Sequence, residues 1–278
     1  MATLLALLSA LVFGLTDFGA ALLSRRGGAA ACAAVVQVGG FVAVLGFVAA
    51  GGTGGASLTT LAWGLLSGLG TGVGIVFLYR GMRQGQLCVV VPVSAVAAIA
   101  LPALAGVLFM GERPSMLVYL GIVCAAVALW LVSCNPGPRQ PRQAGGAVLG
   151  AIAGVGFALQ STALVVPGEP AGYWPLVANR LGAMLTIAAL AVPLQWGLSL
   201  RWPLVPSAVM LGVAAVASQA LYMHAAHLGL MSAAVAISSL YPVVPALLGI
   251  YVLHERLSWL QGAGLAAAGA AVVMIALG

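Results

Sequence analysis

Long apolar stretches, separated by short polar or glycine-rich loops, run along the whole chain. A helix needs about 20 consecutive apolar residues to cross the hydrocarbon core of a bilayer, and these stretches have that length. The loops between them carry glycine, proline, serine and arginine, which are typical of turns and helix ends. We therefore predict an all-α integral membrane protein with about ten transmembrane helices. The predicted spans are 3–23, 29–50, 59–79, 86–110, 115–133, 146–166, 172–193, 204–224, 230–253 and 258–277.

The composition excludes a soluble domain. Of the 278 residues, 63% are hydrophobic and 5% charged, and the mean hydropathy is +1.17. A soluble domain carries about a quarter charged residues. The stretch from Met1 to Leu23 has no basic leader and no small-x-small cleavage site, so we interpret it as the first helix rather than a cleaved signal.

The net charge of +6 comes from scattered arginines, because the chain has ten Arg and no Lys. Without a basic run or stripe, we expect no nucleic-acid partner, and the lipid bilayer is the expected surrounding. The four cysteines have no CxxC or CxxH spacing, and we interpret them as small core residues. The sequence implies no cofactor and no metal, and it contains no nucleotide-binding or catalytic motif.

The two halves of the chain can be superposed with a shift of 143 residues. The coincidences include rare residue types, which indicates an internal duplication. We predict repeats at 1–134 and 146–278, joined by a linker at 135–145 that contains the most polar stretch. The shift places Leu78-Tyr79 on Leu221-Tyr222, Pro102 on Pro245, Gly106 on Gly249, Glu112-Arg113 on Glu255-Arg256, Ser115 on Ser258 and Gly121 on Gly264.

About five spans in each half force the second half into the membrane upside down relative to the first. The prediction is therefore an inverted repeat of two five-helix units, with a pseudo-two-fold axis in the membrane plane. Such an architecture is typical of secondary transporters, because two inverted halves provide two oppositely facing states around one central site.

These residues also carry a family resemblance. The pattern Leu-Tyr-Arg-Gly-Met-Arg-Gln-Gly at 78–85, followed by Gly-Glu-Arg-Pro-Ser at 111–115, resembles the EamA-type domain of the drug/metabolite transporter superfamily. A second copy follows in the other half, from Leu221-Tyr222 to Gly264. The resemblance implies a ten-helix bundle that moves metabolites, often amino acids or amphipathic drugs, across a bacterial inner membrane. The chain departs from the pattern at Phe13-Gly14, where many relatives have Trp-Gly, and in the loop near 50–60, which lacks the basic residues often found there.

Two ionisable residues, Asp17 and Arg180, lie inside predicted spans, where charges are costly and mark functional sites. The 143-residue shift places Asp17 on Gln160 and Arg180 on Gln37. We predict that Asp17 and Arg180 face a central cavity, flanked by Gln37, Gln160 and Asn179, and bind the ammonium and carboxylate of a zwitterion. The alternatives are a structural ion pair and an Asp17 that is solvated near the interface.

A second group of candidates offers hydroxyls to a ligand. Tyr79 and Tyr222 are equivalent positions near the ends of the predicted spans 59–79 and 204–224, where they line the substrate path or mark the aqueous boundary. The others lie near prolines that bend the predicted spans 86–110 and 230–253, and there they contact substrate or satisfy freed carbonyls. These others are Ser94, Ser238 and Tyr241.

Glycines recur at four-residue spacing on two predicted helices. The predicted span 59–79 contains Gly64, Gly68 and Gly72, and the predicted span 146–166 contains Gly146, Gly150 and Gly154. This spacing forms a groove that lets a neighbouring backbone approach closely. We expect the grooves to pack helices within a monomer rather than to form a dimer face.

The prediction from these patterns is a secondary transporter, not an enzyme, that exports small organic metabolites such as amino acids by alternating access. The alternatives are efflux of lipophilic cationic drugs and, with less weight, an intramembrane enzyme. If transport is coupled to protons, Asp17 is the carboxylate placed for it. The arginine count places both termini outside the cytoplasm, whereas the family resemblance implies cytoplasmic termini, and the orientation stays open.

Overall fold

The computed structural model describes residues 2–50, 55–84, 89–91, 93–98, 100–101, 115–133, 141–165, 171–194, 199–228, 241, 243–252 and 258–277. These residues are almost entirely helical, and they contain no β-strand. The helices are α1 (Ala2–Arg26), α2 (Ala29–Ala49), α3 (Leu58–Gln84), α4 (Met116–Ser133), α5 (Pro141–Val165), α6 (Trp174–Leu194), α7 (Val205–Leu228), α8 (Val243–Tyr251) and α9 (Trp259–Leu277). A short 3-10 helix, Trp202–Leu204, leads into α7.

Five of the described helices have the length and composition of membrane-spanning segments, which confirms an all-α membrane protein. Five stretches are long and apolar enough to cross a bilayer: Leu4–Arg26, Ala29–Ala49, Leu58–Met82, Gly145–Leu164 and Trp202–Ala225. Large apolar side chains are exposed along one face of α1, at the helical spacing of three and four residues. They are Leu4, Leu7, Leu8, Leu11 and Leu15, and in a bilayer this face contacts lipid.

Most predicted spans agree with the observed helices to within a few residues. The first helix starts at Ala2, one residue before the predicted start of the first span. Two boundaries differ: α3 continues to Gln84, five residues beyond the predicted end, and α5 begins at Pro141, inside the predicted linker. Proline is well tolerated in the first turn of a helix, which explains this early start. Much of the predicted spans 86–110 and 230–253 lies outside the described residues.

Two glycines form the tight connection between α1 and α2. The Gly27 amide still donates to the Leu23 carbonyl at 2.9 Å, and Gly28 then adopts an extended conformation that ends the helix. The Gly28 amide donates across to the Ser199 carbonyl at 2.8 Å, before the start of α7. The chain thus reverses within two residues and brings α1 and α2 together against α7. A Cβ at Gly27 would lie 2.7 Å from Leu200 Cδ1, so glycine at this position permits the close approach.

The helix pairs are related to one another by the 143-residue shift. The shift converts α1, α2 and α3 into α5, α6 and α7, so the observed pair α1 with α7 corresponds to the pair α5 with α3. Likewise, α2 with α7 corresponds to α6 with α3. In the pairs α2 with α6 and α4 with α9, the two helices are each other's equivalents, so the shift converts each pair into itself.

Residues 143 positions apart are in direct contact in both self-corresponding pairs. Arg180 on α6 donates to Gln37 on α2 at 2.6 Å, and the Cys124 thiol on α4 donates to the Ala267 carbonyl on α9 at 3.3 Å. Helices α2 and α6 run antiparallel. Phe47, ten residues after Gln37, lies beside Tyr173, seven residues before Arg180, with ring centroids 6.0 Å apart and the rings tilted by 32°.

Glycine grooves hold the neighbouring helices at short distance, as predicted. Along α3, a Cβ at Gly64 would lie 2.6 Å from the Ala178 Cβ, and one at Gly72 would lie 2.5 Å from the Thr186 Cβ, so this stripe packs directly on α6. On α5, a Cβ at Gly150 would lie 2.8 Å from the Val90 carbonyl oxygen. The groove prediction is confirmed for these positions, and the contacts are within one chain.

Alanine at Gly39 is expected to destabilise the protein, whereas alanine at Gly46 on the same helix is not. A Cβ at Gly39 would lie 2.6 Å from the Val209 carbonyl oxygen and 2.8 Å from its Cα, so α2 and α7 would have to separate. Overpacking of this kind costs about 1–3 kcal/mol. Gly46 has open space around it, and alanine there gains about 1 kcal/mol of helix propensity.

The measurement is the apparent melting temperature of purified Gly39→Ala and Gly46→Ala proteins in one detergent, followed by intrinsic tryptophan fluorescence. Gly39→Ala should melt several degrees below Gly46→Ala. Equal melting temperatures would contradict the close packing of α2 on α7.

Candidate functional site

A cavity lies where six helices meet: α1, α2 and α3 of the first half and α5, α6 and α7 of the second. Its volume is about 450 Å³, counting all the space between its lining atoms and at its opening. The part of this space that a water molecule could occupy is about 30 Å³, so the cavity is narrow in this conformation. Apolar and aromatic side chains form much of the wall: Phe13, Val36, Ile75, Phe157, Leu211 and Ala215.

The polar part of the wall contains five of the residues predicted from the sequence. Asp17 comes from α1, Gln37 from α2, Tyr79 from α3, Gln160 from α5 and Arg180 from α6. The folding of the chain thus brings together side chains that are up to 163 positions apart, from Asp17 to Arg180. The structure adds three polar side chains that the prediction did not include: Thr16, Thr71 and Gln219.

Arg180 is held by two glutamine side chains on two different helices. Its Nη1 donates to Gln37 Oε1 on α2 at 2.6 Å, and its Nη2 donates to Gln219 Oε1 on α7. The side chain is 2% exposed, and Gln37 is completely buried. Hydrogen bonds to a charged group contribute about 1.5–3 kcal/mol each, so this clamp fixes the position of the guanidinium.

The clamp does not cancel the charge of Arg180. Both acceptors are neutral amides, and within the described part of the chain no carboxylate forms an ion pair with the guanidinium. Asp17 lines the same cavity and is 7% exposed, but its Oδ2 has no hydrogen-bond partner among the described residues. The structural ion pair considered above is therefore absent between these two described residues.

Several buried polar atoms of the cavity wall have no protein partner. In the described ranges these are Arg180 Nε, Gln37 Nε2 and Asp17 Oδ2. A buried polar group without a partner costs about 1–3 kcal/mol, and such groups are rare in folded proteins. Two donors and one acceptor are thus available for a polar ligand at the cavity.

Gly40 provides space for the Arg180 side chain. A Cβ at this position of α2 would lie 3.2 Å from Arg180 Nε and 3.1 Å from the Gly212 carbonyl oxygen. Contacts of this length are tighter than ordinary van der Waals packing. The absence of a side chain at Gly40 lets the guanidinium fit between α2 and α7 and reach both glutamines.

Asn179 was predicted to flank the cavity, but it is not part of the wall. Its Nδ2 donates to Ser67 Oγ and to Thr71 Oγ1, both at 2.8 Å, and Ser67 Oγ donates to the Gln160 carbonyl at 2.9 Å. The residue is completely buried. This network joins α6 to α3 and α3 to α5 behind the cavity, so Asn179 has a structural role in the observed geometry.

The hydroxyl candidates have different surroundings. Tyr79 is buried and lines the cavity, whereas Tyr222 is half-buried on α7 and not in the wall. Ser94 Oγ donates to the Val91 carbonyl at 2.8 Å, which satisfies a backbone group of its own segment. Tyr241 packs edge-on against Phe13 with ring centroids 4.8 Å apart, so it supports the wall from behind. Ser238 lies outside the described residues.

The contact between Gln219 and Arg180 was not predicted from the sequence. Gln219 is 7% exposed and lies within the predicted span 204–224, where a polar side chain at membrane depth is itself a signal. Its 143-residue equivalent is Val76, so the comparison of halves that selected Gln37 and Gln160 did not select it.

In the described part of the chain, no group of three or more His, Cys, Asp or Glu side chains is placed to hold a metal.

Replacement of Asn179 by leucine is expected to lower stability without changing the preference among transported or bound solutes. The change removes two hydrogen bonds and leaves the Ser67 and Thr71 hydroxyls without this donor. Polar contacts between membrane helices contribute about 0.6–2 kcal/mol each, so a drop of several degrees in apparent melting temperature should follow. Ser161→Ala is the control, because Ser161 Oγ bonds only within its own helix, to the Ala158 carbonyl. An unchanged melting temperature for Asn179→Leu would contradict the structural role.

Comparison with known proteins shows the fold. The chain is similar to a solved structure described as "Crystal structure of protein", with a TM-score of 0.64 and 17% sequence identity over 98% of this chain and 94% of that chain. At this identity the likeness concerns the fold alone. No family model matches the chain, and no curated protein matches it.

Proposed function

We propose that this protein is a secondary transporter that moves small organic metabolites, such as amino acids, across the bacterial inner membrane by alternating access. The proposal includes an EamA-type architecture of ten helices in two inverted five-helix repeats. The observation that carries it is the central cavity, built from three helices of each half, in which a buried cation and a buried carboxylate are not paired with each other.

The exchange of helix pairs under the 143-residue shift supports the repeat. A two-fold operation that swaps the halves sends each residue to its equivalent and back again. Residues 143 apart meet only where they lie on or near the axis of such an operation. Gln37 with Arg180 and Cys124 with Ala267 are two such meetings, on separate helix pairs.

The antiparallel course of α2 and α6 supports inversion. If the axis ran along the membrane normal, equivalent helices would run parallel and stay in register along their length. Here the register diverges away from Gln37 and Arg180, since Phe47 lies beside Tyr173. An axis in the membrane plane accounts for this, and it places the cavity at the point that both orientations of a rocking bundle share.

The wall of the cavity supports an amino acid or a similar zwitterion as the solute. Arg180 offers a positive charge and an Nε–H without a partner among the described residues, and Asp17 offers a carboxylate whose Oδ2 has none. Phe13, Phe157 and Ile75 provide an apolar surface between them for a side chain. Because the cavity contains no closed ion pair, a zwitterion would gain partners without first breaking one.

A second candidate is efflux of lipophilic cations. The observation in its favour is that Asp17 shares the cavity with Phe13, Tyr79 and Phe157, because aromatic faces and a carboxylate both attract organic cations. Under this alternative, Arg180 would repel the solute rather than bind it.

The test is uptake by proteoliposomes of a panel of labelled amino acids and lipophilic cations, with and without a pH gradient. Wild-type protein should show saturable uptake of at least one amino acid. Arg180→Gln should lower this uptake roughly tenfold or more, since it removes charged hydrogen bonds of about 1.5–3 kcal/mol. Acceleration by the pH gradient, lost in Asp17→Asn, would assign proton coupling to Asp17.

Arg201→Gln is the matched control, because Arg201 is exposed just before α7 and is not part of the cavity wall. It should transport as the wild type does. If Arg180→Gln moves amino acids at the wild-type rate, the assignment of the site is wrong. If it instead speeds up uptake of cations while amino acids are not moved by either protein, the second candidate replaces the first.

A further inference from the structure

The two amides around Arg180 have the same shape as the carboxylates that usually bind arginine in protein interiors. Glutamate at Gln37 or Gln219 would accept the same hydrogen bonds and would also neutralise the guanidinium. Glutamine retains the hydrogen bond and leaves the charge. In a low-dielectric site this difference is large, because a charge without a countercharge is costly until an oppositely charged ligand arrives.

The clamp also determines which donors stay free. Each terminal nitrogen of the guanidinium donates one hydrogen bond, Nη1 to Gln37 and Nη2 to Gln219. Arg180 Nε and Gln37 Nε2 keep their N–H groups without a partner among the described residues, and both side chains line the cavity. The result is a pair of buried N–H donors on two adjacent side chains that carry one net positive charge.

We propose that Arg180 and Gln37 form a carboxylate-binding subsite, and that Gln219 is the positioning residue that orients the guanidinium while leaving its charge available. The inference rests on the proposed function in one respect, since it assigns the chemical class of the solute: a molecule with a carboxylate group and an apolar body. Gln219 acts on the solute through Arg180, and its amide rather than a carboxylate sets the charge class that the cavity accepts.

The donor set favours a carboxylate over a phosphate. Two donor nitrogens without a partner and one positive charge match the two oxygens and single charge of a carboxylate. A phosphate has more oxygens and a second charge near neutral pH, and phosphate sites usually use several cations or a row of backbone amides. Within the described residues, Arg180 is the one cationic side chain in the cavity wall.

The experiment measures binding to the purified full-length protein in detergent, by the ligand-dependent rise in apparent melting temperature. Three probes share one apolar body: leucine, leucinamide, which lacks the carboxylate, and isocaproate, which lacks the amine. Inorganic phosphate is the fourth probe. Wild-type protein should be stabilised by leucine and isocaproate at concentrations at least tenfold lower than by leucinamide or phosphate.

The decisive variant is Gln219→Glu, which places a carboxylate against Arg180 Nη2 with almost no change in shape. It should weaken the binding of isocaproate and leucine at least tenfold and remove the discrimination against leucinamide. Because the new ion pair satisfies the buried charge, the protein without ligand should melt no lower than the wild type.

Two further variants separate positioning from general electrostatics. Gln160→Glu adds the same charge to the same cavity, but no described hydrogen bond joins Gln160 to Arg180, so it should change the isocaproate to leucinamide ratio less than Gln219→Glu does. Gln219→Leu removes the clamp without changing charge, and it should weaken all carboxylates while keeping their preference over leucinamide. Gln219→Asn, with a shorter amide, should recover part of the affinity.

Each outcome distinguishes the inference from the proposed function. If neither carboxylate probe stabilises the wild type, or if Gln160→Glu and Gln219→Glu have equal effects, the subsite is wrong even where proteoliposomes show transport. If phosphate stabilises most strongly, the anion class is wrong. If carboxylates bind as expected while no probe is transported, the subsite stands and the transport proposal fails.

Discussion

A buried guanidinium that must keep its charge is the constraint on which the centre of this structure depends. Arg180 lies at membrane depth with 2% of its surface exposed, where an isolated cation is strongly disfavoured. Two helices outside its own supply the carbonyl oxygens that hold it, Gln37 on α2 and Gln219 on α7. These three helices therefore have to meet at one level, and their close packing depends on residues without side chains. Gly40 leaves the space that the guanidinium occupies, and Gly39 lets α2 approach the backbone of α7 at Val209.

The polar groups of the described residues fall into two classes that differ in how they are satisfied. Contacts between helices outside the cavity use most of their polar atoms. Ser9 and Ser218 each donate to the other's backbone carbonyl, at 2.8 and 2.9 Å. Asn179 uses both amide hydrogens on Ser67 and Thr71, although its Oδ1 has no partner among the described residues. Of the four buried side-chain atoms without a partner in the described ranges, three belong to residues of the cavity wall, and the fourth is Asn179 Oδ1. Packing alone would favour satisfied groups everywhere. The concentration of open donors and acceptors at one cavity is what distinguishes a binding site from a structural core.

Much of this arrangement could be predicted from the chain, because the signals are local or repeated. Length and apolarity predict the spans, and the rarity of charge inside them selects Asp17 and Arg180. The repeat offset predicts that Gln37 belongs with Arg180, since residues near a two-fold axis meet their own equivalents. Gln219 could not be found in this way, because it has no polar equivalent and its approach depends on the rotation of α7 about its axis.

Asn179 is the opposite case, a residue that was predicted to flank the cavity and is not part of its wall. It precedes Arg180 directly in sequence, yet a rotation of about 100° per residue along a helix turns it away from the cavity and toward α3.

Under the proposed inverted repeat, the inequality between the two halves follows from the same geometry. A strictly symmetric pair at the axis would have two identical side chains, and two arginines would repel each other, while two glutamines would carry no charge. The chain has Arg180 on one side and Gln37 on the other, so a single charge at the axis is reached by groups from both halves. Gln219 then adds an asymmetric contact, because Val76 occupies the equivalent place.

In a bundle whose halves exchange roles between two states, the charge on the axis would move least, while contacts away from the axis, such as that with Gln219, would change more. The clamp therefore links the orientation of Arg180 to the relative position of α6 and α7, and a ligand held by Arg180 would sense that position directly.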